Sequence, residues 1–420
     1  MTFDHDLISR LRSLLDDEVA VDLLRQAIGC ESITGNEANF VTFLEAEMAG
    51  LGLASLEKKD FLPGRPNIWG TRRGRGNGRH LMFMGHTDTV HVDGWAEKWA
   101  GTARADPFGA AQINGSIWGR GAGDLKAGIS ASLMALKLLD QAGIALEGDV
   151  SFAFVGDEES GLPGTGVSAG VKQFSQLAKS GLAPKPDFAI YVEPTKLAVY
   201  PAQIGFFIAD VEITGKTAYF GVPELGRDAL KAAHKILSAL WAHSDELGRM
   251  AEHDLVGRSF LLVTEIKAGG YIAVPGGCSL SLIRKLRPGE DLDDAAGAME
   301  TVIRAAVDDP EVTVEIAYPA GRDHRLGGSP VAIDPNLPEV ANLSACLDAT
   351  LDGRGKIEGA PFWSETSFLI NEIGCPAVYC APGDITNCHT LEERVSVEEY
   401  LAGIVAFGAF MANYCGIAEG

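Results

Sequence analysis

The stretch Leu81-Met82-Phe83-Met84-Gly85-His86-Thr87-Asp88 sets four apolar residues ahead of a glycine, a histidine and an aspartate. The apolar run predicts a short buried strand. His86 and Asp88 then stand at its carboxyl end, where α/β proteins build sites. Residues two apart in extended chain face the same way, so this pair points together. An imidazole that binds a metal gives its second ring nitrogen to a partner, and a nearby carboxylate can supply it. Alone, His-x-Asp is a weak signal and more often an ordinary polar loop. Four further residues change the odds. Asp124 follows Gly121-Ala122-Gly123, and Glu159 closes Asp157-Glu158-Glu159 after the apolar run Val150–Val155. Glu193 follows Phe188–Val192, and His389 lies in a late loop. Two imidazoles and three carboxylates suit a pair of divalent ions, zinc above all. Two such ions sharing a carboxylate can hold and ionise a water. Asp124, in a loop flanked by glycines, is the natural bridge. Glu158 and Glu159 are adjacent and cannot both meet one ion with the same geometry. One can ligate while the other acts as general base.

The elements that must position these residues are legible in outline. Apolar residues at helical spacing (Leu7, Leu11, Leu14, Leu15, Val19, Leu23, Leu24) predict one amphipathic helix over 6–28. A second helix is expected over 38–50, with Phe40, Phe43, Leu44 and Met48 inward. The Gly/Arg-rich stretch 70–78 resembles a phosphate loop in composition. It leads into a strand rather than a helix, which makes it a solvated turn. A long loop with Trp95, Trp99 and Trp118 spans 92–120, then a helix of small residues covers about 125–141. Buried strands at 150–155 and 188–192 follow, so strands alternate with helices and end in acidic residues. From about residue 205 the order becomes strand 206–214, helix 224–243, strands 259–267 and 278–286, helix 291–307 and strand 311–318. Beyond it come helices 338–350 and about 364–372, strand 377–380 and helix 397–414. The expected fold is α/β: a mostly parallel sheet with helices on both faces, formed by 1–204 and 324–420. An α+β (βαββαβ) domain, 205–323, is inserted in it.

Bulk properties narrow the function. The formal charge of −22 over 420 residues argues against nucleic acid or an anionic membrane as partner. No apolar run approaches the roughly 20 residues of a membrane-spanning helix. Seven scattered cysteines without a CxxC pair fit a reducing compartment. Met1-Thr2-Phe3-Asp4-His5-Asp6 lacks the basic start of a signal peptide. A cytoplasmic protein with a small-molecule substrate is expected.

Five motifs in order carry a resemblance. They are His86-Thr87-Asp88; Gly119-Arg120-Gly121-Ala122-Gly123-Asp124-Leu125-Lys126-Ala127-Gly128; Asp157-Glu158-Glu159-Ser160-Gly161; Glu193-Pro194-Thr195; and His389-Thr390-Leu391-Glu392-Glu393. Together they resemble the metallopeptidase family of aminoacylase, acetylornithine deacetylase, succinyl-diaminopimelate desuccinylase and the glutamate carboxypeptidases, across nearly the whole chain. The resemblance implies that Asp124 bridges two metals, with His86 and Glu193 completing one site and Glu159 and His389 the other. It makes Glu158 the base that takes a proton from water and hands it to the leaving amine, and Asp88 the support of His86. It allows one metal or two, with manganese or cobalt besides zinc. It implies that 205–323 is a lid that forms a homodimer.

The departures lie in that inserted domain. Where the family carries Gly-x-x-Ala-His, this chain reads Gly215-Lys216-Thr217-Ala218-Tyr219, so Tyr219 replaces a histidine that stabilises the oxyanion. A tyrosine hydroxyl donates one hydrogen bond but does not titrate near neutral pH. It can equally serve only in packing. Ile272 stands near the family's asparagine. The cation for a substrate carboxylate falls at Lys285, with Arg284 beside it. Cys388, before His389, reads as a small buried residue. The leading expectation is hydrolysis of an amide in a carboxylate-bearing substrate such as an N-acyl amino acid. The alternative is hydrolytic deamination of an acidic aromatic amine, as in 5-nitroanthranilate aminohydrolase, where no acyl oxyanion needs those two residues. A non-catalytic binding homologue is the third reading, and the intact ligand set with Glu158 argues against it.

Overall fold

A computed structural model describes residues 5–159 and 164–419. Ser160 and Gly161 of the third motif, and the Met1–Asp4 start, lie outside the described residues. The chain divides into two compact units. One comprises Met1–Pro201, Ile333–Gly359 and Phe368–Gly420; the other comprises Ala202–Ala332 and Ala360–Ser367.

The first unit is built on a six-stranded sheet ordered Ser55–Leu62, Arg65–Arg72, Val150–Val155, Leu81–His86, Phe188–Tyr191, Ala377–Tyr379. The first two pairings are antiparallel and the other three parallel. Every residue of Leu81–His86 and Val150–Val155 is buried, the pattern of strands covered on both faces. Helices Ala127–Gln141 and Val397–Cys415 pack against each other and against Leu81–His86. The fold class is therefore the mostly parallel α/β sheet that the alternation predicts.

Several local expectations are corrected. The helix expected over 6–28 is two helices, His5–Leu14 and Asp17–Gly29. Asp16 ends the continuity: its carboxylate accepts the Glu18 and Val19 amides and caps the second helix. The hairpin Ser55–Leu62 with Arg65–Arg72 is absent from the sequence reading, and Gly70, Thr71 and Arg72 belong to it rather than to a turn. Buried polar residues in Arg65–Arg72, among them Arg65, Asn67 and Thr71, hide its burial from a hydrophobicity pattern. The 92–120 loop holds a helical turn, Trp95–Lys98, and two short strands, Ala111–Ile113 and Ser116–Trp118, the latter paired with Arg394–Ser396. The helix expected over about 364–372 is a wide turn, Phe368–Ile373.

The second unit has the expected βαββαβ order: Gly205–Thr214, helix Ala229–Arg249, Phe260–Ala268, Gly277–Leu286, helix Leu292–Ala305 and Thr313–Ala317. Its antiparallel sheet runs Phe260–Ala268, Gly277–Leu286, Gly205–Thr214, Thr313–Ala317. Burial alternates along Gly205–Thr214 and Gly277–Leu286. The inward residues, including Phe207, Val211, Leu280 and Leu282, form one core with Ile236, Leu240, Met299 and Ile303 of the helices. The unit extends past the expected 205–323 because Val331–Ala332 pairs with Ala202–Gln203 and 360–367 returns to it.

One close approach bears on site placement. Helix Ala127–Gln141 starts so near the end of the Phe188–Tyr191 strand that a Cβ on Gly128 would lie 2.7 Å from the Val192 Cβ and against the Val192 carbonyl oxygen. Gly128→Ala must push apart the segments that carry Asp124 and Glu193. It is expected to cost about 1–3 kcal/mol, read as a lowered melting temperature.

Candidate metal centre

Three neighbouring parallel strands deliver most of the site. Leu81–His86 lies between Val150–Val155 and Phe188–Tyr191. Their carboxyl ends therefore bring His86, Asp157-Glu158-Glu159 and Glu193 to one edge of the sheet, the place expected for a site in such a sheet. Asp124 arrives from the turn before helix Ala127–Gln141, with extended backbone (φ −120°, ψ 92°). His389 arrives from the loop before Arg394–Ser396.

The side chains converge. His86 Nε2 lies 3.0 Å from Asp124 Oδ1 and 3.6 Å from Glu193 Oε1. His389 Nε2 lies 3.1 Å from Asp124 Oδ2 and 2.7 Å from Glu159 Oε1. The two oxygens of Asp124 thus face two different histidines, each of which also meets a second carboxylate. Ligand atoms of His86, Asp124 and Glu159 all lie within 4.8 Å of one another. His86, Asp124, Glu159 and Glu193 are buried, whereas the His389 side chain is 53% exposed, leaving one side open.

The electrostatics follow from packing three carboxylates together. Burial alone would strip the proton from His86, but Asp124, then Glu193 and Glu158, raise its pKa well above the imidazole range. Hydrogen bonds to Asp124 and Glu159 raise His389 to about 11 against the opposing effect of burial. Burial, reinforced by the charge of Asp124, pushes Glu159 up. Asp124 itself is held below the carboxylate range: its burial opposes this, and the bonds from His389 and His86 prevail. The cluster demands positive charge at two places, one on each side of Asp124. A divalent cation meets that demand with ligands of the right kind.

Asp88 departs in detail from its expected role. The His86 Nδ1 bond goes to the main-chain carbonyl of Asp88, at 3.0 Å, while its carboxylate stands 3.9 Å away. That carboxylate instead accepts the amides of Glu159 (2.9 Å) and Glu158 (3.3 Å) and the Thr34 hydroxyl (3.0 Å). Burial raises it to about 7. Asp88 therefore steadies His86 through the backbone and the Glu158-Glu159 pair through the side chain. Glu158 is only half-buried, with its charge felt by His86, Asp88 and Glu159.

Asp157 was passed over in the sequence reading. Its buried carboxylate accepts the amides of Gly166, Val167 and Ala169 and pairs with Arg65, which also pairs with Glu37. Its φ of 75° turns the chain sharply ahead of Glu158. Glu393, quoted in a motif without a role, is buried and accepts the amides of Gly123 and Asp124 at 3.1 Å each. Cys388 is buried as expected, with its thiol 3.3 Å from the Asp384 carbonyl.

Tyr219, Arg284 and Lys285, singled out in the second unit, meet partners of that same unit. Tyr219 is 62% exposed, packs tilted against Phe220 with ring centroids 4.6 Å apart and planes at 53°, and bridges to Ala273. Of the expected substrate cations, Arg284 is buried and paired with Glu290 at 2.7 Å, and half-buried Lys285 donates to the Val256 carbonyl at 2.7 Å. The strand's alternation turns Arg284 inward, where burial requires a partner.

A family model described as peptidase family M20/M25/M40 matches residues 82–413, from the His86 strand to the last helix. The chain belongs to this family. It is accordingly a hydrolase of carbon–nitrogen bonds. It is 24% identical to the N-formyl-4-amino-5-aminomethyl-2-methylpyrimidine deformylase of Bacillus subtilis, covering 98% of this chain and 95% of that one. It is 27% identical to the succinyl-diaminopimelate desuccinylase of Gluconacetobacter diazotrophicus, covering 94% and 97%. Among solved structures it resembles the YXEP protein of Bacillus subtilis, described as a dinuclear metal-binding peptidase of the M20 family. The TM-score is 0.64 at 14% identity, over 95% of this chain and 98% of that one. Among the described residues no helix is long and apolar enough to cross a membrane.

Metal-stripped protein is expected to gain about 2.7 kcal/mol when Zn²⁺ or Mn²⁺ reaches a hundred times its dissociation constant. This should be visible as a raised melting temperature. The rise should vanish in Asp124→Ala, which takes the shared carboxylate from both histidines.

Proposed function

We propose that this protein is a metal-dependent amidohydrolase acting on a small carboxylate-bearing substrate such as an N-acyl amino acid. The observation that carries the reading is the arrangement around Asp124, whose two oxygens each face a histidine backed by a second carboxylate. In this reading His86, Asp124 and Glu193 hold one divalent ion and Asp124, Glu159 and His389 another, with zinc, manganese and cobalt as candidates. When bound, such ions acidify a water and polarise a carbonyl.

The chain's own residues supply the rest. Glu158, tethered through its amide to Asp88, is half-buried and takes no place in the His86–Asp124–His389 set. That leaves its carboxylate to accept the proton of the attacking water and deliver it to the departing amine. Burial of the ligand carboxylates excludes bulk water from one side, and the exposed edge of His389 marks where substrate enters. Similarity to a deformylase and a desuccinylase supports amide cleavage as the reaction.

A second reading, hydrolytic deamination of an acidic aromatic amine, draws on the inserted unit. Tyr219 and Ile272 stand where the family's pattern has histidine and asparagine. With Tyr271 and Phe220 they form an exposed apolar group, 62%, 52%, 99% and 60% accessible. The reading of the second unit as a homodimerisation domain draws on its edge. Among the described residues Phe260–Ala268 has no strand on its outer side and exposes Phe260, Leu262 and Ile266, an edge that natural proteins cover or charge. A cytoplasmic setting draws on seven free cysteines.

Glu158→Ala is expected to keep its metal and its melting temperature while kcat falls by about 10²–10⁴. Near-normal turnover would remove the base assignment. A panel of N-acyl amino acids and aromatic amines, scored for acid and for ammonia release, separates the two reactions. Leu262→Lys is expected to convert a dimer to a monomer in size-exclusion chromatography.

A further inference from the structure

We infer that Arg120, acting through Glu393, is the positioning residue that sets how tightly the centre holds metal. The inference rests on reading the cluster as a metal site. Arg120 stands immediately before the turn that carries Asp124, and its side chain is 3% exposed. Its three nitrogens go to three different places. Nε donates to the His91 carbonyl at 3.2 Å, Nη2 to the Thr390 carbonyl at 3.2 Å, and Nη1 pairs with the Glu393 carboxylate. The other oxygen of Glu393 accepts the amides of Gly123 and Asp124. His91 continues the segment of His86 and Asp88, and Thr390 adjoins His389. One guanidinium therefore ties together the segments bearing His86, Asp124 and His389, which lie far apart in sequence.

The tie is needed most at His389. Its backbone is left-handed, with φ of 58°, and its side chain is half exposed, so little packing restrains it. The Arg120–Thr390 bond and the Glu393–Asp124 bond fix the distance between its imidazole and the shared carboxylate. The guanidinium also lies 5.5 Å from the centre of the buried Trp95 ring, which blocks other rotamers. Lysine cannot replace it, because a single ammonium does not reach three acceptors in a planar fork. Two of the three acceptors are main-chain carbonyls of loops at the centre, and the third is the Glu393 carboxylate that holds the Asp124 turn. Loss of the tie should therefore loosen the centre before it loosens the fold. Partners that orient metal ligands typically govern about 10–100-fold in affinity.

The test is metal titration of stripped Arg120→Lys and Glu393→Gln beside the wild type, with Zn²⁺ or Mn²⁺ followed by calorimetry. Both variants should bind about 10–100-fold more weakly. Their kcat should return to within a few-fold at saturating metal, with KM unchanged. Arg120→Ala should regain metal affinity in low-millimolar guanidinium. Glu393→Gln keeps the carbonyl that accepts the two amides, so it remains informative where an Arg120 variant does not fold. Wild-type affinity in folded variants overturns the inference, as does lost turnover that excess metal fails to restore. A wild type that binds no divalent metal overturns instead the reading of the centre itself.

Discussion

Three buried carboxylates at one edge of a sheet are the constraint on which the rest depends. Asp124, Glu159 and Glu193 lie within reach of two imidazoles and little water. Buried negative charge left unpaired is costly enough to unfold a region. The carboxylates raise the pKa of the two histidines facing them, and a divalent cation would offset the same negative charge with higher charge at one point. The chemistry of the centre thus grows out of what makes it hard to fold. A place that must attract cations also has the oxygens and nitrogens to ligate them.

Backbone amides and buried ion pairs do the holding. Asp88 accepts the amides of Glu158 and Glu159, Glu393 those of Gly123 and Asp124, and Asp157 those of Gly166, Val167 and Ala169. Each carboxylate is answered by donors fixed in the main chain, and Glu393 and Asp157 also by an arginine. This gives rigid loops without regular structure at strand ends. It also explains why so much charge is buried around the site.

His86, Glu159 and Glu193 were legible because they follow apolar runs, and Asp124 because it follows a glycine-rich turn, local patterns that need no knowledge of the partners; His389 in its late loop was legible only through the motif order. The parallel sheet and the βαββαβ order were legible for the same reason, since burial on two faces or one leaves distinct periodicities. What escaped depends on contacts between residues far apart. The strand Arg65–Arg72 is buried by neighbours that its own polar sequence does not announce. Asp16 breaks a helix whose apolar spacing runs on unperturbed, because a cap acts through one side-chain bond. Arg284 and Lys285 look like free cations until the strand's alternation and Glu290 are known. The return of 360–367 to the second unit leaves no trace in composition.

The central claim is that Asp124 is shared between two cation positions. Electron paramagnetic resonance of the Mn²⁺-loaded protein tests it most directly. The account predicts two Mn²⁺ per chain with an exchange-coupled spectrum, which collapses to uncoupled signals or none in Asp124→Ala. A wild-type spectrum from isolated Mn²⁺ alone, at saturating metal, would contradict it.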